Sequence, residues 1–323
     1  MIAITLTSYS NIQIVNNYQL SLKIEHSNAS EILYLIIIHF DYSKEGRRKQ
    51  FVLECLNRYK NLPGIRIVLV EAAIDDLFDL PDKLEGVFIH HKFKIKHFLQ
   101  IKENLVNVAI SKLPSDWQYV SWIDPDLTFL NPNWVEETLS ELKRSDFIQL
   151  FQTAVFMGPN GEALDIFKSV GFVHQISTKK VKYDTAWVGQ PGYACAMTKW
   201  AYEKMNGLFD EEILGGSDTV TSYSIIQKVD IFYKKWILKQ SLTYQLKALA
   251  NKIKFSYING TILHSWHGSF ADRGYGTRYK IFIKHGYNHK IDITRDKNGI
   301  IQLTKIGERM HADLKAFFCP KCS

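Results

Sequence analysis

Two carboxylates, Asp124 and Asp126, flank Pro125 where the apolar run Tyr119 to Ile123 stops, in the stretch YVSWIDPDLTFLNPNW. An apolar run of that length bounded by turn residues is a buried strand. Ligands of open α/β sheets gather at the carboxyl ends of strands, so a D-x-D there offers oxygens to a divalent cation. Asp-Pro is also an ordinary turn pair, and the chemistry depends on what accompanies it. Leu214-Gly215-Gly216-Ser217-Asp218 precedes a helix expected from Thr219. Its two glycines let backbone approach a ligand, and a carboxylate beside the amide end of a helix is held there electrostatically, as a cap or as a reacting group. His264 and His267, on either side of Ser265-Trp266, converge on one metal ion if the chain turns, and Gly268 with Arg273-Gly274-Tyr275-Gly276 argues for a turn. Arg273 and Arg278 then stand within reach of an anion.

These groups need elements to hold them. Glu31 to Phe40 is a buried strand ending in His39-Phe40-Asp41-Tyr42-Ser43, polar and aromatic residues against which a nucleotide base stacks. From Arg47 to Asn61, Phe51, Val52, Cys55, Leu56 and Tyr59 recur at helical spacing until Pro63-Gly64, and a second buried strand, Ile65 to Val70, ends at Glu71. Strand, helix and strand in so short a span make a βαβ unit with a parallel pair, so the polar ends at His39, Asp41 and Glu71 share one edge. A helix from Phe98 to Leu113 carries Lys102, Glu103, Asn104 and Asn107 off its apolar stripe; these read as solvated, with Lys102 also able to reach a phosphate. Asn131 before Pro132 predicts the cap of a helix running to about Lys143. Asp146 to Gln152 is a further strand. Tyr183 to Met197, rich in aromatic residues and glycine, suits a pocket wall. Thr198 begins a helix that Gly207 closes. Asn298-Gly299 marks a hairpin, and Ile306, Met310, Leu314 and Phe317 line a last helix.

The totals bound the class. A chain of 323 residues, 46% hydrophobic and 13% aromatic, buries a sizeable core. Its net charge of +7 comes from dispersed residues, with no basic stripe of the kind nucleic acid requires. Four cysteines are too few for a disulfide framework, so a reducing compartment is expected, and Cys319-Pro-Lys-Cys322 reads as a frayed tail with two thiols, having no second pair to complete a zinc site. The longest apolar run, Ile32 to Phe40, falls well short of the roughly 20 residues a membrane span needs. A cytoplasmic protein of a bacterium or a virus is expected.

In order along the chain, a strand ending in D-x-D, a G-G-x-D at a helix start and an H-x-x-H beside arginines resemble the metal-dependent glycosyltransferases of the GT-A fold. The likeness is nearest to the inverting class that includes the β-1,4-galactosyltransferases, and looser to the polypeptide N-acetylgalactosaminyltransferases. SWIDPDLTFLNPNW is similar to their strand leading into the metal-binding D-x-D, and GLFDEEILGGSD to the segment before their catalytic aspartate. The galactosyltransferases likewise take later manganese ligands three positions apart, one of them a histidine. Motifs of this kind run from about Glu31 to Arg278.

The resemblance implies an α/β fold, a Rossmann-like, mainly parallel mixed sheet flanked by helices, with a C-terminal helical tail. Residues 1–30 would be a flank, 31–160 the nucleotide-sugar half, 161–290 the acceptor and catalytic half, and 291–323 a hairpin and helix. It implies Mn2+ (or Mg2+) on Asp126, His264 and His267, and Asp124 on the ribose or a metal-bound water. A UDP-sugar donor would lie along His39, Asp41, Glu71, Lys102, Arg273 and Arg278. Asp218 would be the base toward a carbohydrate acceptor, near Gly215 and Gly216, with Trp187, Tyr193 and Trp266 offering rings to sugar faces. Two departures stand out: Ser217 replaces an acidic residue that helps hold the family's acceptor, and the D-x-D is D-P-D. A retaining transferase, a nucleotidyltransferase and a non-catalytic sugar-binding module use the same parts.

Overall fold

A computed structural model describes residues 31–43, 45–177, 189–231, 238–268 and 277–322. The expectations for the N-terminal flank, for Trp187 and for Arg273 lie outside the described residues. In chain order the strands are β1 (Leu33–His39), β2 (Ile65–Ile74), β3 (Val87–Ile95), β4 (Tyr119–Ile123), β5 (Leu127–Phe129), β6 (Phe147–Gln149), β7 (Thr153–Met157), β8 (Ala163–Lys168), β9 (Ala194–Thr198), β10 (Phe255–Tyr257), β11 (Thr261–His264), β12 (Ile293–Arg295) and β13 (Ile301–Leu303). Seven of them form the central sheet, in the order β10-β6-β9-β4-β1-β2-β3. Within it β4, β1, β2 and β3 run parallel, as do β10 and β6, and only β9 runs antiparallel to its neighbours. This is the α/β, mainly parallel sheet that the sequence implies.

Both faces of that sheet are covered, which is why β1 is apolar at every position before His39. Side chains alternate along a strand, so Leu33, Leu35 and Ile37 face one cluster with the helix Arg47–Tyr59 and the helix Trp134–Leu142, while Tyr34, Ile36 and Ile38 face the other, with the helices Lys102–Ile110 and Ser217–Ile225. A second sheet, β5-β11-β7-β8, holds the chain that follows the D-x-D, and β12 and β13 form the hairpin expected at Asn298-Gly299. No helix among the described residues is long and apolar enough to cross a membrane.

Several local expectations are corrected. Strand β2 does not stop at Glu71 but continues to Ile74, because β3 pairs with it as far as Ile95. The helix expected from Phe98 begins at Lys102, and the one expected after Asn131 begins at Trp134. In the latter the Asn131 carboxamide accepts the Asn133 N–H at 2.9 Å, closing a turn over Pro132 before the helix starts. Glu103 and Asn104 are not solvated: they are 5% and 1% exposed, under the C-terminal hairpin and the helix Ser217–Ile225. Cys319 is no frayed thiol. It is buried and disulfide-bonded, in a chain end that packs Phe318 near Tyr42, their ring centroids 6.0 Å apart.

Candidate active site

The D-x-D turn is fixed from both sides. Asp124 N–H donates to the Tyr193 carbonyl at 2.8 Å, extending the β4–β9 ladder by one residue, and Leu127 N–H reaches back to the Asp124 carbonyl at 3.3 Å across Pro125. Proline at the second position of such a turn presets its φ. Beyond it, Arg58 Nη1 donates to the Leu127 carbonyl at 2.7 Å and Phe129 stacks on Trp134 at 4.5 Å, so the loop leaves the sheet in one direction.

Antiparallel pairing then erases a long sequence separation. Strand β5 pairs with β11 so that Leu127 faces His264, and Ser265 N–H donates to the Asp126 carbonyl at 2.9 Å. Asp126 Oδ2 consequently lies 3.5 Å from His264 Nε2 and 3.1 Å from His267 Nε2. The chain turns after β11, as Gly268 predicts, and the two imidazoles converge with ring centroids 5.1 Å apart. Tyr193 packs its ring 4.7 Å from His264 and is 8% exposed, so it supports the imidazole from below and does not offer an open face. Trp266 stands against Phe156 at 5.9 Å.

Behind the turn lies a compact set of charges. Lys102 Nζ is 2.9 Å from Asp124 Oδ1 and 3.7 Å from Glu103 Oε1. Burial opposes the Lys102 charge, but Asp124, Glu103 and Asp218 outweigh it and hold the ammonium well above its ordinary pKa. Burial pushes the Asp124 carboxyl up, against the pull of Lys102 and with help from Asp126. Burial likewise pushes Glu103 up, to about 7, with Lys102 opposing and Asp218 adding to the rise.

Asp218 sits in the first turn of the helix Ser217–Ile225, after Gly215 and Gly216, whose φ values of 93° and 118° only glycine adopts without strain. Asp218 Oδ1 accepts the Thr219 N–H at 2.7 Å, and Oδ2 lies over Gly192, where an added Cβ would come within 2.2 Å of it. Gln100 N–H donates to the Ile213 carbonyl at 2.9 Å and Ser222 Oγ to the Pro191 carbonyl at 3.1 Å, which fixes this helix beside Lys102 and β9. Arg278 reaches over Gly215, its Nη1 within 2.9 Å of where a Cβ would stand, and Nη2 donates to the Tyr279 hydroxyl at 3.0 Å.

At the same edge, one and two strands along from β4, a cavity of about 270 Å³ opens at the ends of β1 and β2, lined by His39, Asp41, Tyr42, Glu71, Asp79 and Phe98 among others. His39 Nε2 is 2.8 Å from Asp79 Oδ1. Glu71 Oε1 is committed to the backbone N–H groups of Asp79 and Leu80, at 2.7 and 2.9 Å, so it shapes the wall. Asp41 Oδ1 accepts from Ser43 at 2.8 Å, while its Oδ2 is buried with no hydrogen-bond partner among the described residues. Asp79, Phe98, Glu103 and Gly192 were not singled out as site residues from the sequence. Of these, Phe98 belongs to the apolar stripe of the expected helix, Glu103 to the polar residues off that stripe, and Gly192 to the pocket wall expected from Tyr183 to Met197.

No protein-family model and no curated protein matches this sequence. Among solved structures, the chain is similar to the catalytic domain of Drosophila β1,4-galactosyltransferase 7 in complex with xylobiose, at 12% identity over 75% of this chain and 73% of that one, with a TM-score of 0.39. It is similar also to a mutant of that Drosophila protein in complex with manganese, UDP-Gal and xylobiose, at 13% identity over 74% and 73% and a TM-score of 0.37. A third is 4-diphosphocytidyl-2C-methyl-D-erythritol synthase from Anaerococcus prevotii, at 10% identity over 72% of this chain and 90% of that one, with a TM-score of 0.32.

Proposed function

We propose that the protein is a glycosyltransferase that moves a sugar from a nucleoside-diphosphate donor, a UDP-sugar, to a hydroxyl of a carbohydrate or glycoconjugate, with inversion. The observation that carries this reading is the meeting of Asp126, His264 and His267, their ligand atoms all within 4.8 Å of one another, at the sheet edge that also bears Asp124 and the cavity at His39. Ligands bound to one ion at roughly 2.0–2.2 Å lie about 3 Å apart, which this triad approaches. One carboxylate and two imidazoles form a mixed oxygen and nitrogen set that suits manganese, with magnesium as the oxygen-preferring alternative. When bound there, the cation supplies Lewis-acid neutralisation of the diphosphate leaving group.

The chain's own residues do the rest. The cavity takes the base beside Tyr42 and Phe98, and Asp41 Oδ2 accepts a hydrogen bond from it. Asp124, oriented by Lys102, accepts from a ribose hydroxyl. Arg278, set over Gly215, adds a charge-assisted contact to the diphosphate. Asp218 accepts the proton of the acceptor hydroxyl as that oxygen bonds to the anomeric carbon and the bond to the diphosphate breaks on the opposite face. General-base help of this kind is worth roughly 10²- to 10⁴-fold.

The test is calorimetric titration of UDP with and without Mn2+, followed by turnover of a panel of UDP-sugars. Manganese-dependent UDP binding that His267→Ala weakens is expected. Binding indifferent to both the metal and the substitution would remove the triad from the reading. Release of pyrophosphate in place of UDP would make the protein a nucleotidyltransferase, and a product of retained anomeric configuration would remove the inverting role of Asp218.

A further inference from the structure

We infer that the C-terminal segment carries a docking surface for anionic lipid, built from Ile283, Ile291 and Ile306 with Lys280, Lys290 and Lys305 beside them. Its existence does not depend on the transferase reading. Residues 277–322 hold ten basic and four acidic residues, a net +6 of the +7 that the whole chain carries. Along the sequence these charges form no run, and the fold gathers part of them.

The helix Tyr279–His285 buries one side and exposes the other. Phe282 is 1% exposed and stacks on Tyr287 at 4.0 Å, whereas Ile283 is 69% exposed, with Lys280 one turn before it on the same face. Arg309 ties two further segments to the end of this helix. Its Nη2 donates to the His285 carbonyl at 2.8 Å, its Nη1 to the Ile306 carbonyl at 2.7 Å, and both nitrogens hold the Asp292 carboxylate. Thr304 Oγ1 donates to the Ile291 carbonyl at 2.6 Å. Ile291, 47% exposed after Lys290, and Ile306, 57% exposed after Lys305, are thereby held in the neighbourhood of Ile283. Exposed aliphatic side chains are ordinary when scattered, but three gathered among lysines mark an interaction surface.

The carboxylates of the adjoining segments are engaged with other groups: Asp292 with Arg309, Asp313 with Lys284 and His285, Glu308 with His97, Glu211 with His289, and Asp296 with the N–H groups of its own hairpin. Among the described residues no ion pair takes up Lys280, Lys290 or Lys305. The combination selects the partner. A second copy of this chain docked about a two-fold axis would set lysine against lysine. Single-stranded nucleic acid calls for aromatic rings to stack on, which aliphatic side chains do not supply. An anionic bilayer suits both sets of residues, because the ammonium groups meet lipid phosphates while the isoleucines enter the apolar boundary beneath. Each lysine at such a surface strengthens binding about fivefold.

The test is co-sedimentation of the full chain with vesicles of phosphatidylglycerol and phosphatidylcholine in equal parts, against phosphatidylcholine alone. The mixed vesicles should be bound at least about tenfold more tightly, and raised salt should weaken that binding. Ile283→Ser with Ile306→Ser should lower it about tenfold with the melting temperature kept, and Ile283→Trp should raise it. Lys280→Gln with Lys290→Gln and Lys305→Gln should abolish the preference for anionic lipid. The same charge removed by Lys83→Gln, Lys252→Gln and Lys254→Gln, at exposed positions leading into the two edge strands of the central sheet, should change affinity less than about twofold. Equal losses in the two lysine triples would reduce the effect to overall charge and overturn the inference, as would binding indifferent to the isoleucine substitutions. Tighter binding to single-stranded RNA than to the mixed vesicles, lost in the first triple, would assign the surface to nucleic acid instead. A chain that sediments with neither kind of vesicle would refute it outright.

Discussion

Among the described residues two places gather two histidines and a carboxylate within 4.8 Å, Asp126 with His264 and His267, and Glu308 with His97 and His311. Their ingredients are nearly the same and their accounting is not. Leu303 N–H donates to His97 Nδ1 at 3.1 Å, which places the ring proton on Nε2, 2.8 Å from Glu308 Oε1. A nitrogen that carries a proton has no lone pair for a metal, so the second cluster is a latch that ties the segment before the helix Lys102–Ile110 to the C-terminal segment. In the first cluster both Nε2 atoms turn to one carboxylate oxygen, Asp126 Oδ2, just beyond the end of β4, and the His267 side chain is 25% exposed. The same residue types therefore serve in one cluster as a latch and in the other as the proposed metal triad.

The sharpest way to break this distinction is to truncate the carboxylate of each cluster. Asp126→Ala should weaken Mn2+-dependent UDP binding by at least about 100-fold, since even indirect supports of a metal site are worth roughly 10- to 100-fold. Glu308→Ala should leave that affinity unchanged and lower the melting temperature. Titration calorimetry on both variants decides it, and equal loss of affinity in the two would merge the clusters into one kind.

A smaller effect is expected where the site depends on the absence of a side chain. At Gly192 a Cβ would stand 2.2 Å from Asp218 Oδ2, so Gly192→Ala must displace the carboxylate. A shift of about 1 Å in a reacting group costs on the order of 100-fold, and a fall in kcat of about 10- to 100-fold with UDP affinity retained is expected from steady-state kinetics. Unchanged kcat would mean that Asp218 does no work at Oδ2.

Much of this was legible in the chain. The strand endings at His39 and Asp124, the turn after His264 and the glycines before Asp218 follow from local patterns, because apolar runs, turn residues and glycine carry their geometry with them. What placed His264 beside Asp126 was the pairing of β5 with β11, a non-local choice that three- and four-residue strands do not announce. Strand β3, VFIHHKFKI, escaped because its histidines and lysines interrupt an alternation that only the edge of a sheet explains. Glu103 was misjudged for a related reason. Periodicity places it off the apolar stripe of its helix, and only the packing of the Ser217–Ile225 helix over that polar face makes it part of the core.

The latch makes the mildest prediction, and it separates the clusters by stability alone. Burial lowers the His97 pKa, with the Glu308 hydrogen bond opposing. The unfolded chain, with an ordinary value near 6.5, therefore binds more protons than the folded one as pH falls below that value, and stability declines in the same direction. His97→Ala removes both bonds of the ring and should cost about 1–3 kcal/mol at pH 7.5, read as a lower melting temperature. It should also shrink the difference between melting temperatures at pH 7.5 and 5.5, because the group that charges on unfolding is gone. If the variant keeps the wild-type difference, another histidine carries the acid sensitivity; if it instead loses Mn2+-dependent UDP binding, the latch reaches the site at the sheet edge and the two clusters are not independent.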